Sequence, residues 1–276
     1  MIQDIGAEKL NNSYIPDAVP SPGDTLFCFR GGEVLACPDM QEPFPKFADV
    51  SFSGGAVYLF SIGERRYFLC RDENAEAPEK FSYTDVKQLR RAEGAVKLHV
   101  FALFTAFHLC KWYRKSRFCG SCGAETVPDS RERAMRCPGC GNITYPRIDP
   151  AVIVGVTNGD KLLLTRYARG RGVNFDALVA GFTEIGETLE QTVEREVMEE
   201  VGLRVKNIRY YKSQPWGFSG GILAGFFCDV EGCDTVTLDE SELSSAIWTR
   251  REDIAGQPDD MSLTNEMMKM FRDGKV

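Results

Sequence analysis

From residue 22 to residue 71, short apolar runs alternate with glycine-bearing turns, as in TLFCFRGGEVLAC and AVYLFSIGERRYFLC. Aromatic and β-branched runs of this length, bounded by glycine, predict hairpins in a small antiparallel sheet. The period then changes. Residues 84–116 contain no proline, and apolar side chains recur at helical spacing through KLHVFALFTAFHLCKWY. One long helix, bent at Gly94, is predicted there. His99 and His108 fall on it and read as core or surface histidines. Beyond a glycine-rich stretch, AVIVGV and KLLLTRY predict two strands and DALVAGF a third. A helix is expected at 188–201, strands at 205–211 and 221–230, and a last helix at 263–272. The order describes a mixed α/β (α+β) chain in three segments: an α/β domain over 1–112 ending in the long helix, an insert over 113–144, and a second domain over 145–276.

Composition narrows the class. The chain of 276 residues is 43% hydrophobic and 26% charged, as globular proteins are, and its net charge is -7. That sign argues against bulk electrostatic attraction to nucleic acid or to an anionic membrane. The opening MIQDIGAEKLNNSYIP lacks the basic start and apolar core of a secretory signal. The longest apolar run, LHVFALFTAFHLC, is too short to cross a bilayer. A cytoplasmic protein with no membrane partner is expected. Of ten cysteines, Cys28, Cys37, Cys70, Cys110, Cys228 and Cys233 lie scattered in apolar stretches and read as small core residues.

The other four are patterned. Cys119 and Cys122 form one CxxC, Cys137 and Cys140 another, with 14 residues between the pairs. Glycine in both turns (CGSCG, CPGCG) lets two thiolates converge on one ion while backbone N–H groups face the sulfurs. Four thiolates complete the closed tetrahedral shell of a structural zinc, one per chain, with no position left for substrate. Arg114, Lys115, Arg117, Arg131, Arg133 and Arg136 make this neighbourhood basic. A solvated basic face and a grip on nucleic acid both fit that pattern.

The second concentration of charge is GFTEIGETLEQTVEREVMEEVGL, seven glutamates within residues 181–203. Like charges on successive helical turns repel by a few tenths of a kcal/mol per pair. At 100° per residue, Glu196, Glu199 and Glu200 fall within an arc of roughly 100° beside the apolar stripe of Val193, Val197 and Val201. Converging carboxylates of this kind suit a hard divalent cation, Mg²⁺ or Mn²⁺, and the phosphates that accompany it. Arg195 is placed to pair with Glu187 and pin the preceding loop. Gly202 suits a left-handed helix stop, and Gly181 a tight backbone where the segment begins.

These residues also carry a resemblance. Gly181, five residues, Glu187, seven residues, then Arg195-Glu196-Val197-x-Glu199-Glu200-x-Gly202-Leu203 matches every fixed position of the Nudix box. With the four cysteines, the YPRIDP segment at 145–150 and SQPW at 213–216, the chain resembles the NADH pyrophosphatase branch of the Nudix hydrolases over nearly its full length. The resemblance implies a Nudix α/β/α sandwich preceded by an N-terminal mixed α/β domain and a zinc ribbon. It implies cleavage of a dinucleotide diphosphate, NADH or NAD⁺, to AMP and a nicotinamide mononucleotide. NAD-capped RNA ends, the same chemistry with a larger leaving group, are a further implied substrate. Two or three Mg²⁺ or Mn²⁺ ions would be held by Glu196, Glu199 and Glu200, the catalytic glutamates, joined by Glu242. Tyr145 and Phe182 would clamp the base, Gln214 and Trp216 would touch substrate, and the site would be built across a homodimer. The chain departs from the usual SQPWPFPxS at one place, reading SQPWGFSGG. The other reading is a non-catalytic zinc-ribbon protein that binds nucleotides or nucleic acid. Such a protein would be expected to have lost box glutamates, and none is lost here.

Overall fold

The hairpins expected near the N-terminus form in the computed structural model, which describes residues 1–76, 78–168 and 175–276. They divide between two sheets. The strands are β1 (Leu10–Asn11), β2 (Thr25–Phe27), β3 (Phe29–Arg30), β4 (Glu33–Ala36), β5 (Ala56–Ile62), β6 (Arg65–Cys70) and β7 (Ser82–Asp85). One sheet runs β1-β5-β6-β2 and the other β3-β4-β7. Instead of an all-antiparallel arrangement, β2 lies parallel to β6, with Thr25 beside Tyr67. Because β3 and β4 leave for the second sheet, no tight turn joins β2 to its neighbour and dictates an antiparallel pair. Leu26, Cys28, Leu35, Phe68 and Cys70 share one buried cluster. Cys110 and Cys228 are buried as expected, whereas Cys37 is only half-buried and Cys233 is exposed.

The long helix is two helices, α1 (Val86–Arg91) and α2 (Lys97–Lys115). Asp85 starts α1 by accepting the N–H groups of Lys87 and Gln88. Gly94 sits at φ +76°, the left-handed region, and Val96 is extended. These two non-helical residues, with Ala95 between them, break the rod where a bend was expected. Three short strands follow, β8 (Val127–Pro128), β9 (Met135–Arg136) and β10 (Ile143–Thr144), paired in the order β10-β9-β8. All these elements, with Gly217–Gly220, belong to one compact unit, Gln3–Arg147.

The second unit comprises Met1–Ile2, Ile148–Trp216 and Gly221–Val276. It contains β11 (Asp149–Asn158), β12 (Lys161–Tyr167), β13 (Val179–Phe182), α3 (Leu189–Val201), β14 (Arg204–Trp216), β15 (Gly221–Glu231), β16 (Leu243–Arg250) and α4 (Leu263–Arg272). The six-stranded sheet runs β14-β15-β11-β12-β16, with β13 paired to β11. β11 and β15 are parallel at its centre. Strand residues alternate between faces. Val152, Val154 and Val156 therefore pack with Val193, Val197 and Val201 of α3. Ile153, from the same strand, packs with Leu263, Met267 and Phe271 of α4. The result is a helix on each face of a mixed sheet, the expected α/β/α sandwich. Each of the three α3 valines is fully buried, a contribution of about 1.5–3 kcal/mol apiece.

Candidate active site and metal centre

Helix α3 is shaped at both ends by local sequence. Thr188 accepts the N–H of Gln191, whose side chain accepts the N–H of Thr188 in return. Gly202 closes the helix at φ +69°, as expected of a left-handed stop. Gly181 has a different reason from the one expected. It lies in β13 opposite Val152, and a Cβ there would overlap the carboxyl group of Glu196. Glycine leaves the room in which that carboxylate sits.

Arg195 organises the acidic residues. Its Nε and Nη2 donate to the two oxygens of Glu187 at 2.6 and 2.9 Å, the expected pin between loop and helix. Its Nη1 also reaches Glu196 at 2.7 Å and Glu199 at 2.9 Å. A further donation, 2.9 Å from Nη2, holds the carbonyl of Phe182. One guanidinium thus fixes three box carboxylates, Glu187, Glu196 and Glu199, and the backbone of Phe182. The Arg195 pairing, with the Glu184 N–H and the Thr192 hydroxyl, brings the Glu187 carboxyl down to about 2. Glu196 moves the other way: burial pushes its carboxyl up, with repulsion from Glu199 and Glu242 adding to the rise. Glu242 stands just before β16. Glu200 is 3% exposed. Carboxylate oxygens are the donor type a hard divalent cation takes; Glu196 is half-buried and Glu200 buried, while Glu199 is exposed. Among the described residues only the four ribbon cysteines have ligand atoms all within 4.8 Å of one another, and Glu196, Glu199, Glu200 and Glu242 are not gathered to that degree.

The four ribbon cysteines converge. Their sulfurs all lie within 4.8 Å of one another, with Cys119 to Cys140 at 3.6 Å and Cys122 to Cys137 at 3.4 Å. A tetrahedron of ~2.3 Å zinc–sulfur bonds has edges of about 3.8 Å, so the set fits zinc. Backbone N–H groups of Ser121 and Cys122 draw the Cys119 thiol down to about 6. Asn142 Nδ2 faces the same sulfur at 3.8 Å.

The aromatic and SQPW residues are distributed differently. Phe182 is 56% exposed at the end of β13, and Tyr145 is 53% exposed in the N-terminal unit, its hydroxyl donating to Glu132 at 2.8 Å. Trp216 ends β14 half-buried. Gln214, expected at substrate, is fully buried. Its Nε2 donates to the Met261 carbonyl at 2.8 Å and its Oε1 accepts the Leu263 N–H at 2.7 Å. A buried amide must be satisfied, and this one is engaged with the start of α4. Gly217, where the resembled motif has proline, lies so close to α2 that a Cβ would overlap the Phe104 carbonyl. The departure in SQPWGFSGG has a steric reason.

A glutamate-lined helix against a mixed sheet, together with a four-thiolate knuckle, defines a zinc-ribbon Nudix protein. Residues 147–270 match the NUDIX domain and residues 114–145 the NADH pyrophosphatase zinc ribbon domain. The chain carries a NUDIX domain preceded by that ribbon. It is 45% identical over 147 residues to the NAD-capped RNA hydrolase NudC of Shigella flexneri, covering 53% of this chain and 56% of that one. Against the NudC of Enterobacter sp. the identity is 44% over 146 residues, with the same coverage. The chain spans about half the length of the curated relatives it matches. A NUDIX hydrolase from Nitrosomonas europaea shares the fold at TM-score 0.50 and 24% identity, over 58% of this chain and 92% of that one.

Proposed function

We propose that this chain is a metal-dependent pyrophosphohydrolase that cleaves the diphosphate of NADH and NAD⁺ to AMP and nicotinamide mononucleotide. The observation that carries the reading is the Gly181–Glu196–Arg195 arrangement, which gathers carboxylates on one side of α3. NAD-capped RNA is the second substrate, favoured by the names of the NudC relatives. The non-catalytic reading is disfavoured, since every box glutamate is present.

Two or three Mg²⁺ or Mn²⁺ ions, when bound, neutralise the diphosphate and lower the pKa of the attacking water. Glu196, Glu199, Glu200 and Glu242 would hold them, and Glu199 or Glu200 would orient the water. Arg195 and Glu187 hold the loop against the helix so that those carboxylates keep their positions. Phe182 and Tyr145, with Trp216, would stack a base, a contact worth ~1–3 kcal/mol. Zinc at Cys119, Cys122, Cys137 and Cys140 is structural in this reading. Segments 1–112, 113–144 and 145–276 serve as N-terminal domain, ribbon and hydrolase, in a cytoplasmic homodimer. Among the described residues no helix is long and apolar enough to cross a membrane.

Incubation with NADH and Mg²⁺, followed by chromatography of the products, tests the reading. AMP and reduced nicotinamide mononucleotide in equal amounts are expected. Brisk turnover of an unrelated diphosphate with no AMP from NADH overturns the substrate assignment.

A further inference from the structure

Helix α2 carries His108, a histidine that the sequence marks only as core or surface. Four of its residues, Phe104, Phe107, His108 and Lys111, are spaced i, i+3, i+4 and i+7 and share one face. That face holds the Arg147 carbonyl and the turn Gly217–Gly220, both in its own compact unit. His108 Nε2 lies 2.7 Å from the carbonyl oxygen of Arg147. A carbonyl only accepts, so this nitrogen carries the proton. Lys111 Nζ donates to the Phe218 carbonyl at 2.6 Å. The Phe218 ring packs on Phe104 and Phe107, with centroids at 5.9 and 6.2 Å. Gly217 lets the turn approach, since a Cβ there would overlap the Phe104 carbonyl, and Gly220 supplies a left-handed backbone at φ +90° beside His108.

These two segments are the lead-in YPRIDP and the SQPW continuation. Arg147 is two residues from Tyr145, and Gly217 follows Trp216 directly in the chain. We propose that His108 and Lys111 are positioning residues for dinucleotide binding. They fix the Arg147 and Phe218 carbonyls, and through the adjoining peptide bonds they set the backbone at Tyr145 and Trp216. This rests on the reading that those two aromatic residues meet substrate. The replacement of proline by glycine at 217 follows from it, because the turn is held by the helix where the usual motif stiffens itself with proline.

Three variants test the assignment: His108→Leu keeps bulk and removes the donor, His108→Gln restores an N–H at similar reach, and Lys111→Met keeps the stem. Steady-state NADH kinetics are paired with amide hydrogen exchange on the enzyme without substrate. In His108→Leu, KM should rise about tenfold while kcat changes less than about twofold, since small displacements of binding groups have large effects. Exchange should speed up at 145–148 and 216–221, with Lys111→Met showing a smaller change of the same kind. His108→Gln should restore KM to within about threefold. Wild-type KM in both His108→Leu and Lys111→Met overturns the proposal, as does loss of kcat and KM alike with no rescue by glutamine. If the parent enzyme leaves NADH intact, the substrate reading falls. Exchange at the two segments then decides the grip by itself, and unchanged protection in His108→Leu and Lys111→Met refutes it.

Discussion

Glu200 and Gly181 carry the sharpest consequences of a single atom. A carboxylate 3% exposed is costly unless it meets positive charge. Glu200→Gln keeps the shape and removes that charge. Turnover of NADH at saturating Mg²⁺ should fall by orders of magnitude with circular dichroism unchanged, and retention of more than about a tenth would sink the metal assignment. Gly181→Ala tests the same site from the opposite side. The added methyl would overlap the Glu196 carboxyl, the far end of a flexible side chain. The side chain should move and the fold should survive. We expect kcat to drop at least about tenfold with a melting temperature within a few degrees of the parent, because misplacement of a ligand by an ångström has that scale of effect. Unchanged kcat would show that the Glu196 position does not matter.

At the scale of elements, the loop before α3 and the ribbon each make a measurable contribution. Glu187 is held to about 2 by Arg195, against an ordinary value of 4.5. A carboxyl depressed on folding stabilises above its unfolded pKa and loses that contribution as pH falls through the folded one. The melting temperature of the parent should therefore exceed that of Glu187→Gln above pH about 4.5, and the gap should close as pH approaches about 2. Asp229, also held to about 2, by Arg209, titrates in both proteins and cancels. A gap independent of pH would assign the effect to packing. In the ribbon, four sulfurs within 4.8 Å have little reason to converge except a shared ion. Cys119→Ser should lose zinc by atomic absorption and melt at lower temperature, since binding energy at such a site is folding energy. Zinc added to the parent should not raise turnover. A folded, zinc-free variant of normal stability would refute the structural role.

Over the whole molecule, the legible parts are those set by spacing along one segment. CxxC turns and an i, i+3, i+4 run of glutamates take their geometry from a few neighbouring dihedrals, so the cysteine cluster and the box helix could be read from residue types alone. Helix α4 was predicted to the residue because its apolar period and its Ser262 cap are local. What escaped depends on partners distant in sequence. Strand β16, whose LSSAIWTR has little alternation, exists because β12 offers it an edge. The parallel pairing of β2 with β6 has no local cause. Gln214 looked like a substrate contact, and its partners stand 47 and 49 residues away. His108 looked bland, and its acceptor is 39 residues on; the Lys111 acceptor is 107 away. The sequence by itself determined the chemistry that one helix or one knuckle can assemble, because backbone geometry carries side chains there without help. Only the tertiary structure decided which buried polar groups serve packing and which helix holds the Arg147 and Phe218 carbonyls. Those choices depend on which surfaces meet, and the chain's local dihedrals do not encode that.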